Sequence, residues 1–200
     1  MNRRTFLKFS AGATAAGISG GRRTVAAAPS PTADALHAEG FHRNRRFVTI
    51  PAGRIAYVEE GSGPAALFLH GFPLNSFQWR HAMERLSMHR RCIAPDFLGM
   101  GYTEVADGRP VSPDAQAGML IALLDAMDIP DVDIVANDSG GAVAQLLLLR
   151  LPTRIRSLLL TNCDTEIQSP PAALLPVIEL AKEGRYVDEW LGPWLADRRL

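Results

Sequence analysis

Acidic and hydroxyl side chains lie beside glycines at one strand-to-helix junction of this 200-residue chain. Val132–Ala136 is a short apolar run that predicts a strand buried on both faces, and Ala142–Leu149 is a run of good helix formers. Only residues 137–140, Asn-Asp-Ser-Gly, separate them. The chain must therefore turn sharply, with one residue at an unusual φ/ψ. A carboxylate or hydroxyl held on such a turn is placed for nucleophilic attack and formation of a covalent ester.

Two residues compete for the apex of this turn. Asp138 has small residues two positions away on both sides, Ala136 and Gly140. Ser139 has Asn137 two positions before it, which is bulky where the turn requires a small residue. We therefore place Asp138 at the apex and keep Ser139 as the alternative nucleophile. A phosphate-binding glycine turn is disfavoured, because the stretch has neither repeated glycine spacing nor a Lys-Ser/Thr pair.

The junction resembles the nucleophile elbow of the α/β-hydrolase superfamily. Its aspartate form, small-x-Asp-x-Gly, is typical of haloalkane dehalogenases and epoxide hydrolases. Two further stretches carry the same resemblance: His70–Pro73 follows the apolar strand Ala65–Leu69, and Asp96–Thr103 follows the strand Cys92–Ala94. The resemblance extends from residue 47 to residue 200.

The resemblance implies roles for several residues near the elbow. The backbone N–H groups of Phe72 and Ser139 would form the oxyanion hole. Asp138 would displace a leaving group at carbon and become an ester, which a histidine-activated water then hydrolyses. We interpret His70 as a structural histidine that hydrogen-bonds the loop backbone. We interpret Asp96 as a carboxylate that pins its own loop.

The histidines depart from the family pattern. In the family the catalytic histidine follows the nucleophile and the acid, whereas all five histidines of this chain precede Asp138: His37, His42, His70, His81 and His89. We therefore expect a C-terminally truncated piece of a longer hydrolase, with a degenerate relative as the alternative. Such a chain alone should not turn over a substrate, and Asp138 could at most be alkylated once. Asp164 is a possible acid, although most relatives take the acid from a later strand.

The order of apolar and helical segments predicts an α/β-hydrolase fold. We expect a mostly parallel, doubly wound sheet that begins with an antiparallel hairpin, Phe47–Ile50 and Arg54–Glu59. Ser157–Asn162 should be a further buried strand, and the C-terminal strands of the fold should be missing. Two short helices, 173–180 and 186–195, would begin a helical cap. The predicted core spans 45–167 and the partial cap 168–200.

The N-terminus resembles a twin-arginine (Tat) signal peptide over residues 1–28. Arg3 and Arg4 precede a weakly apolar, Ala/Gly-rich run that is too short and too rich in glycine to span a bilayer. We therefore expect recognition by the Tat export machinery, a periplasmic or secreted location and no stable membrane anchor. Residues 29–44 should be a linker.

Composition and the residues near the elbow limit the partners. The formal net charge of zero gives no electrostatic case for a nucleic-acid partner. We expect a small apolar substrate, an epoxide, ester or halide, in a pocket with Phe72 and Trp79 on its wall. Phe72 and Ser139 carry no side-chain N–H to hold a halide, which weighs against a haloalkane. A non-catalytic ligand-binding protein is the third hypothesis.

Other features of the sequence give fewer constraints. Cys92 and Cys163 lie in apolar runs, so we expect free, buried thiols rather than a disulfide. We expect no cofactor and no metal. The oligomeric state has no signature in the sequence.

Overall fold

The structure, a computed structural model, describes residues 38–163 and 170–196. Within this part of the chain seven strands form one sheet. The strands are β1 (Arg45–Ile50), β2 (Gly53–Glu60), β3 (Ala65–Leu69), β4 (Arg91–Pro95), β5 (Glu104–Val105), β6 (Val132–Asp138) and β7 (Ile155–Cys163). The α-helices are α1 (Ala38–Arg43), α2 (Arg80–Leu86), α3 (Pro113–Ala126), α4 (Ser139–Arg150), α5 (Leu175–Lys182) and α6 (Gly192–Ala196). Shorter turns of helix cover Ser76–Trp79, Ala172–Leu174 and Val187–Leu191.

The sheet has the order β1-β2-β4-β3-β6-β7, with β5 paired to β2. Strands β1 and β2 form the predicted antiparallel hairpin, and β2 also runs antiparallel to β4. Strands β3, β4, β6 and β7 are parallel, and β3 lies at the centre, where Leu67 pairs with Ile93 on one side and Ile134 on the other. The carboxyl ends of the parallel strands therefore meet at one edge, where sites in such sheets form.

Both faces of the central strand are buried. Leu67 belongs to a core cluster that includes Leu120 of α3 and Val143 of α4. Phe68, whose side chain points to the opposite face, belongs to a second cluster with Met83 of α2. Helices thus cover both faces, and the predicted doubly wound α/β fold is confirmed.

The range predicted as a linker, residues 29–44, contains structure at its end. Residues 38–43 form helix α1, and Phe41 is fully buried there. The ring of Phe41 meets the ring of Phe77 edge-on at 5.3 Å between centroids. Residues 38–43 therefore pack on the core instead of linking to it, because Phe41 fills the cluster beneath β3. The earlier part of the predicted linker, 29–37, lies outside the described residues.

The prediction of a buried strand at Ser157–Asn162 is wrong about its burial. The segment is part of β7, but Leu159 is 56% exposed and Leu160 is 39% exposed. Strand β7 pairs with β6 alone among the described strands, so its other edge and much of both faces stay uncovered. An apolar run distinguishes a strand from a loop, but the number of neighbouring strands and helices decides how far the side chains of that strand are buried.

Several local features complete the fold. Ser112 caps α3, because its Oγ accepts a hydrogen bond from the Ala115 N–H at 3.3 Å. Cys92 and Cys163 do not form a disulfide with each other. Cys92 is buried as predicted, which raises the pKa of its thiol to about 12. The predicted burial of Cys163 is wrong, because this residue ends β7, which pairs with β6 alone among the described strands. Among the described residues, no helix is both long and apolar enough to cross a membrane.

The packing of α1 predicts a large effect of Phe41→Ala. Removing this fully buried ring should lower the free energy of unfolding by about 3–5 kcal/mol. The matched control is Phe47→Ala in β1, where the ring is 37% exposed under the Arg54 guanidinium, and the loss should be at most about 1.5 kcal/mol. Urea unfolding followed by tryptophan fluorescence measures both. Equal losses would contradict the core role of residues 38–43.

Candidate active site

The turn between β6 and α4 is made by one residue. Asp138 ends β6 with φ 53° and ψ −134°, and Ser139 is already the first residue of α4. The four-residue junction that the sequence predicts is thus shorter in the structure, because one residue in a strained conformation reverses the direction of the chain. The strained residue is Asp138 and not Ser139, in agreement with the predicted apex.

Gly140 lets the helix approach the central strand. A Cβ on this residue would lie 2.5 Å from the carbonyl oxygen of His70 and 2.7 Å from that of Leu69. Real Cβ atoms do not come this close to backbone oxygens. The small residue that the turn requires two positions after the apex is therefore a steric necessity here.

Two backbone N–H groups converge on the Asp138 carboxylate. The Phe72 N–H donates to Oδ1 at 3.0 Å, and the Ser139 N–H donates to the same oxygen at 2.6 Å. No hydrogen bond from a described residue reaches Oδ2. Gly71 permits this approach, since a Cβ there would lie 2.9 Å from Oδ1 and 2.5 Å from the Asp138 Cβ. One carboxylate oxygen is thus held by two donors, and the other accepts no hydrogen bond from the described residues.

His70 is completely buried and uses both ring nitrogens. Its Nε2 accepts a hydrogen bond from the Phe97 N–H at 3.0 Å, so the proton lies on Nδ1, which donates to the Gly71 carbonyl at 2.9 Å. Burial lowers the pKa of His70. This geometry fits the predicted structural histidine and leaves no free nitrogen to activate a water.

Asp96 holds two loops together. It is fully buried, and its Oδ1 accepts from the Ser76 N–H at 2.8 Å while its Oδ2 accepts from the Tyr102 N–H at 2.9 Å. A Cβ on Gly101, which has φ 56°, would clash with the same carboxylate. The contacts fit the predicted role of a carboxylate that pins its loop.

Two amide side chains that the sequence reading did not select connect the elbow to the His70–Pro73 loop. Gln78 accepts from the Gly71 N–H at 2.9 Å and donates to the Asn137 side chain at 2.7 Å. Asn137 in turn donates to the Thr161 carbonyl at 2.7 Å. Asn137 seemed only too bulky for the turn. An amide side chain near the end of a buried strand, directly before the apex of the turn, is the sequence feature that could have identified Asn137.

The start of the predicted cap lies beside Phe72. The Tyr186 ring is 6.0 Å from the Phe72 ring and stacks on Trp190 at 5.3 Å. The Tyr186 hydroxyl is buried without a hydrogen-bond partner among the described residues, and burial raises its pKa. Together these rings form an aromatic wall that includes Phe72, whose N–H donates to Asp138.

The remaining predicted residues have different positions. Trp79 packs on Phe68, with 5.6 Å between ring centroids, within the core cluster below β3, so its contacts support a core role in place of the predicted pocket role. The Ser139 Oγ is buried and has no hydrogen-bond partner among the described residues. Asp164 and His37 lie outside the described residues. In residues 38–163 and 170–196 no histidine hydrogen-bonds Asp138 or Ser139, and no cluster of three His, Cys, Asp or Glu side chains could hold a metal ion.

The family model described as alpha/beta hydrolase fold matches residues 64–192. The match covers more than half of the chain and contains Phe72, Asp138 and Ser139, so the chain belongs to the α/β-hydrolase family. A model of the TAT (twin-arginine translocation) pathway signal sequence matches residues 1–19. The chain therefore carries a Tat signal, which supports export across the membrane.

Similar proteins come from several branches of this family. A haloalkane dehalogenase of Mesorhizobium japonicum is 42% identical over 115 residues, which are 57% of this chain and 37% of that protein. Epoxide hydrolase 2 of Siraitia grosvenorii is 42% identical over 104 residues, 49% of this chain and 32% of that protein. The crystal structure of a haloalkane dehalogenase from Agrobacterium tumefaciens C58 has a TM-score of 0.58 and 29% identity, and the match covers 76% of this chain and 57% of that one. The chain spans about a third of the length of these two curated relatives.

The close packing around Gly140 predicts that a glycine-to-alanine substitution changes the free energy of unfolding in opposite directions at Gly140 and at Gly118. Gly140→Ala should lower the free energy of unfolding by about 1–3 kcal/mol, because its Cβ meets backbone oxygens of the central strand. Gly118→Ala, in the exposed middle of α3, should raise it by about 0.5–1 kcal/mol, because the new methyl group would meet only the end of the flexible Arg150 side chain, at an ordinary contact distance of 3.9 Å, and alanine favours the helix. Urea unfolding of both variants measures the difference. A neutral Gly140→Ala would contradict the close approach of α4 and β3.

The burial of His70 predicts a pH dependence of stability. Because burial lowers its folded-state pKa, the unfolded chain binds a proton that the folded chain does not as the pH falls below about 6.5. This contribution to stability is complete above pH 6.5 and is lost toward the folded-state pKa, by up to about 1.4 kcal/mol per pH unit. Unfolding free energies from pH 8 to pH 5 test it. His70→Gln should flatten this part of the profile, whereas His81→Gln, at the surface beside Glu84, should leave it; identical slopes for the two would refute the assignment.

Proposed function

We propose that this chain is an exported α/β-fold hydrolase that attacks a small apolar epoxide, ester or halide through Asp138 and forms a covalent enzyme ester. The observation that carries the proposal is the convergence of the Phe72 and Ser139 N–H groups on one oxygen of that carboxylate. The likeness to a haloalkane dehalogenase and an epoxide hydrolase supports the same reaction class.

The first chemical step uses the two carboxylate oxygens differently. For an epoxide or a haloalkane, Oδ2 of Asp138 attacks the carbon, a carbon–oxygen ester bond forms, and the bond to the ring oxygen or halogen breaks with its electron pair. Oδ1 becomes the carbonyl oxygen of the ester and stays beside the two N–H donors. Fixing Oδ1 also fixes the direction of Oδ2, which favours a single line of attack.

The second step is hydrolysis of the ester. Water adds to the ester carbon, and the negative charge that develops on Oδ1 lies against the Phe72 and Ser139 N–H groups. This addition needs a base to take a proton from the water. All five histidines precede Asp138 in the chain, and His70 has both nitrogens engaged. We therefore propose that the ester accumulates on this 200-residue polypeptide.

The surroundings of the carboxylate favour an apolar substrate. Phe72 is 36% exposed beside the Tyr186 and Trp190 rings, so the entrance to Oδ2 is aromatic on this side. Neither Phe72 nor Ser139 offers a side-chain N–H for a halide, which ranks an epoxide above a haloalkane.

Ser139 supports a second candidate function, that of a serine esterase. Its buried Oγ has no hydrogen-bond partner among the described residues and is thus available at the same turn. The candidate is weaker, because no described histidine contacts this hydroxyl and Ser139 does not occupy the strained apex. A non-catalytic ligand-binding protein that keeps the aromatic wall is the third possibility.

The location and domain division complete the proposal. The Tat signal supports export, and we propose that the protein acts in the periplasm or is secreted. We propose a signal peptide over residues 1–28, a catalytic core over residues 45–167 and the start of a cap over residues 168–200.

The proposal predicts a stable adduct on Asp138. Incubation of the chain with an aryl epoxide should raise its intact mass by the mass of the probe, and peptide mapping should place the adduct on Asp138. Asp138→Asn should abolish the adduct, because the charged nucleophile is lost. Ser139→Ala should retain it, because the backbone N–H of residue 139 is kept.

Other results of the same experiment would contradict the proposal. Labelling of Ser139 by a fluorophosphonate, without an epoxide adduct on Asp138, would assign the serine esterase function. Saturable binding of the epoxide without any adduct would assign a non-catalytic role.

A further inference from the structure

A continuous chain of hydrogen bonds links the His70–Pro73 loop to strands β6 and β7. The Gly71 N–H donates to Oε1 of Gln78 at 2.9 Å, and Nε2 of Gln78 donates to Oδ1 of Asn137 at 2.7 Å. Nδ2 of Asn137 donates to the Thr161 carbonyl at 2.7 Å. Gly71 precedes the donor Phe72, and Asn137 precedes Asp138, so the chain is attached one residue away from each end of the Phe72–Asp138 hydrogen bond.

The two backbone ends of this chain fix the orientation of both amides. The Gly71 N–H can only donate and the Thr161 carbonyl can only accept. Reversing either amide would therefore place two donors or two acceptors against each other. The chain is satisfied in one arrangement only, which holds Gln78 and Asn137 in single conformations.

Other contacts also restrain the loop, but they bind the Gly71 carbonyl and not the Gly71 N–H. The Gly71 carbonyl is bound by the His70 ring at 2.9 Å and by the Leu74 N–H at 2.9 Å. Gln78 is the bound partner of the Gly71 N–H. Without Gln78, the N–H of the His70–Gly71 peptide would lose its partner, so the backbone on this side of Phe72 would be held only through the Gly71 carbonyl.

Strand β7 anchors the far end. Thr161 is the register partner of Asn137, and the β6–β7 pairing becomes irregular directly after this pair, where Asp138 aligns with Cys163. The Thr161 Oγ1 also donates to the Ala136 carbonyl at 3.2 Å. The last regular pair before the strained turn is thus reinforced by side chains.

We propose that Gln78 and Asn137 are positioning residues that hold the Phe72 N–H on Oδ1 of Asp138. Neither residue touches the substrate in this proposal, which rests on the proposed function of Asp138. The pair fixes the distance between the loop that carries one oxyanion donor and the strand that carries the nucleophile. A misplacement of reacting groups by about 1 Å can slow a reaction by about 100-fold.

The test is the rate of adduct formation on Asp138 in the full chain with an aryl epoxide. Gln78→Leu should lower the maximal rate constant by about 10–100-fold while the half-saturating epoxide concentration stays within about twofold, because the side chain does not line the substrate site. The matched control is Gln116→Leu. Gln116 is a buried glutamine that also bridges backbone groups, those of Leu98, away from Asp138, and its loss should leave the rate constant unchanged.

A double-mutant cycle tests whether the two amides act together. Asn137→Ala should also slow the adduct, and the double variant with Gln78→Leu should be no slower than the slower single variant, because one chain of bonds is broken in each case. Multiplying effects would contradict a shared role. If Gln78→Leu does not fold, Gln78→Glu replaces it; this variant keeps the acceptor for Gly71 but loses the donor to Asn137, and an unchanged rate constant would overturn the proposal.

A second measurement separates this inference from the function of Asp138. If the wild-type chain forms no adduct, the proposed function fails, and hydrogen exchange of the Phe72 amide, measured by NMR, then decides about positioning. Gln78→Leu should speed this exchange at least about tenfold relative to the wild type, and Gln116→Leu should not. Equal exchange in the wild type and in Gln78→Leu would overturn the proposal even where Asp138 reacts.

Discussion

The strained backbone of Asp138 is the constraint on which the site depends. A residue with φ 53° and ψ −134° costs about 1–3 kcal/mol and persists only where its neighbours determine its position. Here β6 is paired to β3 on one side and to β7 on the other, and α4 begins at the next residue. This backbone conformation places the carboxylate at the carboxyl ends of the strands, at the edge of the sheet where the loops meet.

The close approach of three backbone segments follows from this constraint. Gly140 lets α4 begin against the end of β3, and Gly71 lets the next loop pass over the Asp138 side chain. Polar side chains then fix that loop: the buried His70 binds it on one side, and the partly buried Gln78 binds it on the other. His70 and Gln78 each have hydrogen-bond partners at both ends, so the arrangement resists slippage more than a loop held by apolar contacts would.

The sequence predicts those parts of the fold that arise from local patterns. The apolar runs of β3 and β4, the hairpin and the strained Asp138 follow from periodicity and from the sizes of neighbouring residues. It does not predict features that depend on which elements meet. Phe41 looks like part of a polar linker until the cluster beneath β3 is seen, and the leucines of β7 look buried until its single neighbour is known. The Gln78–Asn137 contact joins residues 59 positions apart, and no local pattern encodes it.

The position of Asp138 at the start of α4 would affect the two chemical steps of the proposed reaction in opposite ways. Its carboxylate caps the helix through the Ser139 N–H, where the helix dipole favours negative charge. Formation of the ester removes that charge, so the N–H groups of Phe72 and Ser139 bind the neutral ester oxygen more weakly than they bind the carboxylate. Addition of water returns the charge to Oδ1, between the same two donors. Because the donors favour the charged forms on either side of the ester, they stabilise the transition state of ester hydrolysis more than the ester itself, which is the requirement for catalysis of that step.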